Sequence, residues 1–202
     1  GIEGKAAVWL DVPDKLGKES KFGTSRARSI EAIQIAKLLD EWINSEKGKG
    51  LSFGVISFYK SQVNEVFKCL KEYGITEATQ DGQWQVTHKY RYLDGTSERL
   101  RIGTVDSFQG MEFDVVLLSM VRSIDVENPP HWLNKDQDIH EKHQRIFGHL
   151  MSENRLCVSM SRQKKVLVLV GNADLARSTL GSEAVPALHK FYHLCREYGV
   201  VL

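Results

Sequence analysis

Thr104-Val105-Asp106-Ser107-Phe108-Gln109-Gly110-Met111-Glu112-Phe113-Asp114 runs directly into Val115-Val116-Leu117-Leu118-Ser119-Met120-Val121-Arg122. The segment reads as the end of one strand, a polar turn with a single glycine, and then the most apolar strand of the chain. A run that is apolar at successive positions is covered on both faces, which puts it inside a mostly parallel sheet flanked by helices. Polar side chains crowd where the first strand ends, and Gly110 lets the backbone turn tightly or approach a ligand closely. Taken alone, an ordinary polar connection explains this stretch as well as a binding site does.

Working outward, three more apolar runs read as buried strands: residues 6–12, closed by Pro13; 53–59; and 166–170, ended by Gly171-Asn172. Helical patterns fall between them. Thr24 or Ser25 is the expected cap of a helix reaching Asn44, with Ile35, Leu39 and Trp42 recurring on one face. A second helix is expected over 61–73, a third over 153–163, and two more over 173–180 and 184–198. Residues 14–23 read as a polar loop. Residues 84–93 alternate and Asp94-Gly95 is a turn signal, so a hairpin returning through 100–105 is expected. Residues 124–146, charged and histidine-bearing, read as an inserted excursion. The expectation is one α/β domain over 1–202, a three-layer fold with a mainly parallel sheet. In such sheets ligands gather outside the carboxyl ends of strands, so the loops after Ser57, Val105, Val121 and Val170 are the first places to look.

Composition narrows the classes. In 202 residues, Lys plus Arg number 27 and Asp plus Glu 26, so the formal charge is +1 and any basic groove must be local. No apolar run approaches the roughly 18 residues of a membrane span. Cys69, Cys157 and Cys195 are odd in number and far apart, which suggests a reducing, intracellular setting without a disulfide framework or zinc site. Gly1-Ile2-Glu3-Gly4 is no secretory signal and looks like an excision from a longer chain.

A second segment, Arg155-Leu156-Cys157-Val158-Ser159-Met160-Ser161-Arg162, is read as helical, with Arg155, Ser159 and Arg162 at i, i+4, i+7 on one face. Two guanidinium forks at a sheet edge suit a phosphate, since they bind its oxygens bidentately and stay charged. A solvated basic face is the plainer reading of the pair alone.

Together, T-V-D-S-F-Q-G-M-E-F-D with L-S-M-V-R, and R-L-C-V-S-M-S-R-Q-K, resemble motifs V and VI of superfamily 1 helicases of the Upf-like group, which includes the nonsense-mediated decay helicase and senataxin. Phe53 to Gln62 is similar to that group's strand ending T-P-Y-x-x-Q, and Ser25, Glu31 and Ala32 fit its earlier helix start. The resemblance covers about residues 6–175. It implies the second of two RecA-like domains, with ATP between them and Mg²⁺ held by the first. Accordingly this chain has no G-x-x-x-x-G-K-[ST], and Leu38-Leu39-Asp40-Glu41 reads as a helix edge rather than a metal box. The resemblance makes Arg162 an arginine finger on the γ-phosphate and gives Gly110 and Glu112 places beside the nucleotide. Gln109 and Arg155 would couple nucleotide state to domain closure. Thr104, Asp106 and Ser107, with Ser57, Tyr59 and Gln62, would lie along a single strand of RNA or DNA. The implied partners are that strand and the upstream RecA-like domain, with no membrane. The isolated chain is expected to be inactive. Three positions depart from the group: Arg28 for asparagine, Gln163 for alanine, and Phe58 for proline.

Two other classes remain. One is a degenerate helicase-like scaffold or nucleic-acid-binding module. The other is a metal-dependent hydrolase using His131, His140, His143 and His149 with Asp136 and Asp138, although a solvated loop explains those histidines more simply. Bases and aromatics mixed over Trp84, His88, Lys89, Tyr90, Arg91, Tyr92, Arg99 and Arg101 could stack on a strand, but read more simply as a half-buried hairpin.

Overall fold

The computed structural model describes residues 4–134 and 138–202. In chain order it holds β1 (Ala7–Asp11), β2 (Ser20–Phe22), β3 (Ser25–Ala27), α1 (Ser29–Asn44), β4 (Phe53–Ser57) and α2 (Lys60–Lys71). Then come β5 (Thr76–Ala78), β6 (Trp84–Val86), α3 (His88–Arg91), β7 (Leu100–Thr104) and β8 (Phe113–Ser119). The chain closes with α4 (Ile139–Phe147), α5 (Glu153–Ser159), β9 (Gln163–Gly171), α6 (Ala173–Arg177), α7 (Thr179–Ala184), α8 (Pro186–Glu197) and β10 (Val200–Val201).

The expected three-layer α/β architecture, that of a RecA-like domain, is the one the chain adopts. Six strands form one sheet in the order β10-β1-β9-β8-β4-β7, and every pairing within it is parallel. Successive side chains point to opposite faces. Thus Val115, Leu117, Val168 and Val170 meet Ile35 and Leu39 of α1 and Val66 and Leu70 of α2. Val116, Leu118, Leu167 and Leu169 meet Leu156 of α5, Leu175 of α6 and Leu188 of α8. Both faces are therefore covered, as the unbroken apolar runs require. Trp9 is fully buried, edge-on to Tyr192 at 5.4 Å, and donates its indole N–H to the Gly171 carbonyl.

Several expected elements are corrected. The hairpin over 84–105 does not form: β6 pairs antiparallel with β5, whereas β7 joins the main sheet beside β4. The Asp94-Gly95 turn is real, with the Asp94 carboxylate accepting from the Thr96 and Ser97 amides. The ladder stops at a single Tyr92–Glu98 bridge, because α3 interrupts the strand and Arg91 folds back onto the Val86 carbonyl. The 14–23 loop contains β2, which pairs with β3, so α1 starts at Ser29. The Ser25 hydroxyl accepts from the Ser61 amide and serves the start of α2 instead. The carboxyl-terminal region has three helices where two were expected, divided at Ser178 and Val185.

The 124–146 segment is less detached than its charge suggests. Ile124, Leu133 and Ile146 are buried in the core, and Asp138 caps α4 by accepting from the His140 and Glu141 amides. Asp136 lies outside the described residues. Among those described, no group of three or more His, Cys, Asp or Glu could hold a metal ion, and no helix is long and apolar enough to cross a membrane.

Candidate functional site

β7 delivers Thr104 to the carboxyl end of the sheet, paired with Ser57. A 3-10 turn over Val105–Phe108 then buries Val105 and Phe108 and leaves Asp106, Ser107 and Gln109 exposed. The turn lies flat on β4 because Gly54 has no side chain: a Cβ there would stand 2.8 Å from Phe108 Cε1. Phe108 packs against Phe113 at 5.5 Å. Gly110 takes φ +75°, a left-handed conformation that a side chain would strain, and returns the chain to β8. The path from Thr104 to Phe113 therefore crosses the sheet from its carboxyl to its amino edge.

α5 lies beside this crossing, and the two arginines hold its ends. Arg155 Nη2 meets Asp106 Oδ2 at 3.0 Å, near the carboxyl end of β7, with its guanidinium 5.8 Å from the Phe58 ring. A hollow of about 160 Å³ separates the segments, lined by Val105, Asp106, Gln109, Asn154, Arg155 and Val158. Arg162 does not share a helical face with Arg155 and Ser159, which corrects the expected continuous helix. α5 ends at Ser159, whose buried hydroxyl donates to the Leu156 carbonyl. The Phe113 amide donates to the Arg162 carbonyl at 2.9 Å, and this pairing draws the chain into β9. From that strand entrance the guanidinium reaches back. Nε donates to the Val158 carbonyl at 3.0 Å, Nη2 to the Ser161 hydroxyl at 2.9 Å, and Nη1 to the Met111 carbonyl at 3.5 Å. Arg162 is half-buried, while Gly110 and Glu112 beside it are exposed.

This arrangement brings Gly110, Glu112 and Arg162 together at the amino edge of β8 and β9, and Thr104, Asp106, Ser107 and Arg155 together at the carboxyl end. Gly110 and Glu112 belong to the connection that leaves β7 after Val105, one of the loops singled out in the sequence, but they lie at its far end, where it enters β8.

Ser57, Tyr59 and Gln62 face inward, which corrects their expected exposure to a strand. All three are buried. Gln62 spends its amide on the Arg28 backbone, accepting at 2.8 Å, and on the Ser119 hydroxyl, to which it donates at 3.0 Å. The Ser57 hydroxyl accepts from the Tyr59 amide. The Tyr59 hydroxyl accepts from the His149 amide and from Arg122. The Ser107 hydroxyl also bonds locally, to the Thr104 carbonyl.

Sequence reasoning gave Arg28 no role. It is fully buried and donates to the carbonyls of Val12, Pro13 and Gly17 and to Glu31 Oε1 at 3.1 Å. The other Glu31 oxygen accepts from Ser119 Oγ at 2.6 Å and the Val121 amide at 2.9 Å. Burial pushes the Glu31 carboxyl up, and the Arg28 charge and the Ser119 and Val121 hydrogen bonds pull against that rise. The charge of Arg28 signalled nothing by itself; only its proximity to Glu31 at i, i+3 hinted at a pair. The basic-aromatic stretch also turns inward: Trp84 stacks on Phe67 at 6.2 Å, the Tyr90 hydroxyl donates to Asn44, and Arg99 donates to the Ile43 carbonyl.

A family model described as an AAA domain matches residues 2–174. The chain is 30% identical over 179 residues to a Gallus gallus protein named as a helicase, MOV-10, a match covering 85% of this chain and 15% of that protein. It is 28% identical over 188 residues to the DNA replication ATP-dependent helicase/nuclease dna2 of Schizosaccharomyces pombe, covering 92% of this chain and 10% of that one. The chain thus spans only 15% and 10% of the lengths of these two relatives. A solved structure, the C-terminal domain of a possible DNA helicase from Lactobacillus plantarum WCFS1, aligns at 15% identity and a TM-score of 0.41, covering 91% of this chain and 82% of that chain.

Proposed function

This chain belongs to the AAA domain family, and from that premise we propose that it is the second motor domain of an ATP-dependent superfamily 1 helicase of the Upf-like group, with no complete nucleotide site of its own. The relatives named as helicases support the motor reading. The single observation that carries it is the seat of Arg162 against the Met111 carbonyl, next to exposed Glu112.

The residues at this edge fit one wall of a nucleotide site. Among the described residues Arg162 Nη1 has a long contact to Met111 and Nη2 the Ser161 hydroxyl, with Nε held by the Val158 carbonyl, so the outer nitrogens could exchange these neutral partners for an anion. Exposed Glu112 can accept from a ribose hydroxyl, and Gly110 leaves open space above the backbone. Bound ATP supplies the γ-phosphoryl group that passes to water. Arg162 would hold its charge from across the cleft, the kind of contact worth about 10³-fold or more in turnover. The carboxylates that hold Mg²⁺ would come from the first domain.

Arg155 links this edge to the strand side. Its ion pair with Asp106 ties α5 to the turn that carries Gln109, so movement of Arg162 toward a phosphate would shift both segments together. Thr104 and Ser107 would then offer hydroxyls to the phosphate backbone of a single strand without reading its sequence, while Asp106 would lie beside it, its charge engaged by Arg155.

The test joins the upstream motor domain to this chain and compares Arg162→Ala with the parent for nucleic-acid-stimulated ATPase. The expected loss is about 10³-fold, with strand affinity in the absence of nucleotide largely kept. Unchanged turnover would sink the assignment.

A further inference from the structure

A cavity of about 380 Å³ opens beside the carboxyl end of β8, lined in part by Lys18, Arg26, Arg122, Asp125, Trp132 and Arg145. It lies at the opposite end of β8 from Arg162, and of the motif residues only Arg122, the last of L-S-M-V-R, lines it. Its volume is within the range that encloses a small ligand or one unit of a polymer.

The floor is built rather than incidental. Arg122 is buried, donating from Nε to Glu19 at 3.0 Å and from its other nitrogens to the Tyr59 hydroxyl and the Arg145 carbonyl. Glu19 also takes Arg26 at 2.6 Å, so the β2–β3 hairpin is tied to the end of β8. Over this floor the Arg145 guanidinium carbon stands 4.0 Å from the centre of the Trp132 ring. Trp132 is half-buried and Arg145 exposed. Among the described residues no ion pair is seen for the Arg145 guanidinium, and both it and Trp132 line the cavity. A planar cation already stacked on an indole at the wall of a cavity is a platform that a nucleobase extends.

The lining decides the ligand class. Lys18 is exposed and its charge reaches Asp125, whose carboxyl is held low chiefly by the Asn128 amide. Asp14 and Asp125 at the same rim would repel a polyphosphate but can accept from the exocyclic amines of a base. Mixed donors and acceptors around a stacking plane suit one base with one phosphodiester.

Building on the motor reading, we propose that this cavity seats one nucleobase of the single strand, stacked on the Trp132–Arg145 pair, with Lys18 on the adjoining phosphate. Trp132 and Arg145 would then bring the described parts of the 124–146 segment into the strand track.

The experiment measures binding of a fluorescein-labelled oligoadenylate, whose bases carry an exocyclic amine, to this chain by anisotropy at low ionic strength. The variants are Trp132→Leu, Trp132→Phe and Arg145→Gln, each checked by thermal melting. Removing the indole is expected to weaken binding about tenfold, the size of one lost base–aromatic stack. Phe is expected to keep most of the affinity, and Arg145→Gln to lose several-fold. Because Arg145 is exposed, its variant remains informative if Trp132→Leu melts early. Parental affinity in both Trp132→Leu and Arg145→Gln overturns the proposal, as does a parent chain that binds no strand. The turnover test at Arg162 fails separately: unchanged turnover in Arg162→Ala together with Trp132-dependent binding would sink the motor reading and leave this site standing.

Discussion

Gly54 shows how much of the site rests on one missing atom. A Cβ there would meet Phe108 Cε1 at 2.8 Å and Phe113 Cδ2 at 3.2 Å, and both rings are buried. Neither can move without lifting the turn that carries Asp106 and Gln109. Gly54→Ala is therefore expected to cost about 1–3 kcal/mol by overpacking, read as a lower urea midpoint with an unchanged slope. A variant as stable as the parent would show that the turn floats free of β4. Nothing in the residue pattern signals this contact, because glycine inside an apolar run indicates only weak strand preference. Gly110 was legible, since a glycine between polar residues and a strand marks a turn, and its φ of +75° is that turn. The neighbourhood of Glu112 and Arg162 was legible through motif order. The backbone at Arg162 was not: the spacing of Arg155, Ser159 and Arg162 matches a helix by arithmetic, while strand pairing at Phe113 takes the chain elsewhere.

Among the elements, those with a long, one-sided pattern could be read in advance, and those decided by a partner could not. β4, β8, α1 and α2 follow from runs and periods in their own residues. β7 reads as half of a hairpin because Asp94-Gly95 precedes it, yet β4 captures its ladder. Tertiary pairing outweighs local turn chemistry here because the main sheet buries both faces of the strand. The joint between elements is the Arg28–Glu31 pair, buried among β1, α1 and the end of β8. A buried charge left without its partner is costly, whereas loss of both charges is tolerated better. Arg28→Met is accordingly expected to lose about 3–5 kcal/mol of unfolding free energy. The double variant Arg28→Met with Glu31→Leu is expected to recover a substantial part of that loss. Denaturant titration of the set distinguishes this from simple packing, in which the two losses would add.

On the scale of the whole molecule, the two ends of one parallel sheet have different tasks in the proposed motor. The amino edge of β8 and β9 offers Gly110, Glu112 and Arg162, and the carboxyl end offers Asp106, Arg155 and the Trp132 cavity. Strand β8, seven residues long, separates them by roughly 20 Å at the rise of a strand, so neither group can touch a ligand bound at the other. In the proposed motor α5 and the 105–108 turn would link the two ends, since Arg155–Asp106 and the burial of Leu156 and Phe108 hold them together. The nucleotide edge is also one-sided. The sequence carries no phosphate-binding glycine loop, and among the described residues no group of three or more His, Cys, Asp or Glu could hold a metal ion. One guanidinium and one carboxylate on an open surface can stabilise charge but cannot position a water and a phosphoryl group against each other, and that positioning supplies most of the rate in phosphoryl transfer. The chain alone is therefore expected to show no ATP turnover above buffer in a phosphate-release assay, with or without a single strand. Fusion to the upstream motor domain is expected to produce turnover that Arg162→Ala removes. Steady hydrolysis by the chain alone would mean that a complete site lies within these residues, and the division of labour between two domains would have to be abandoned.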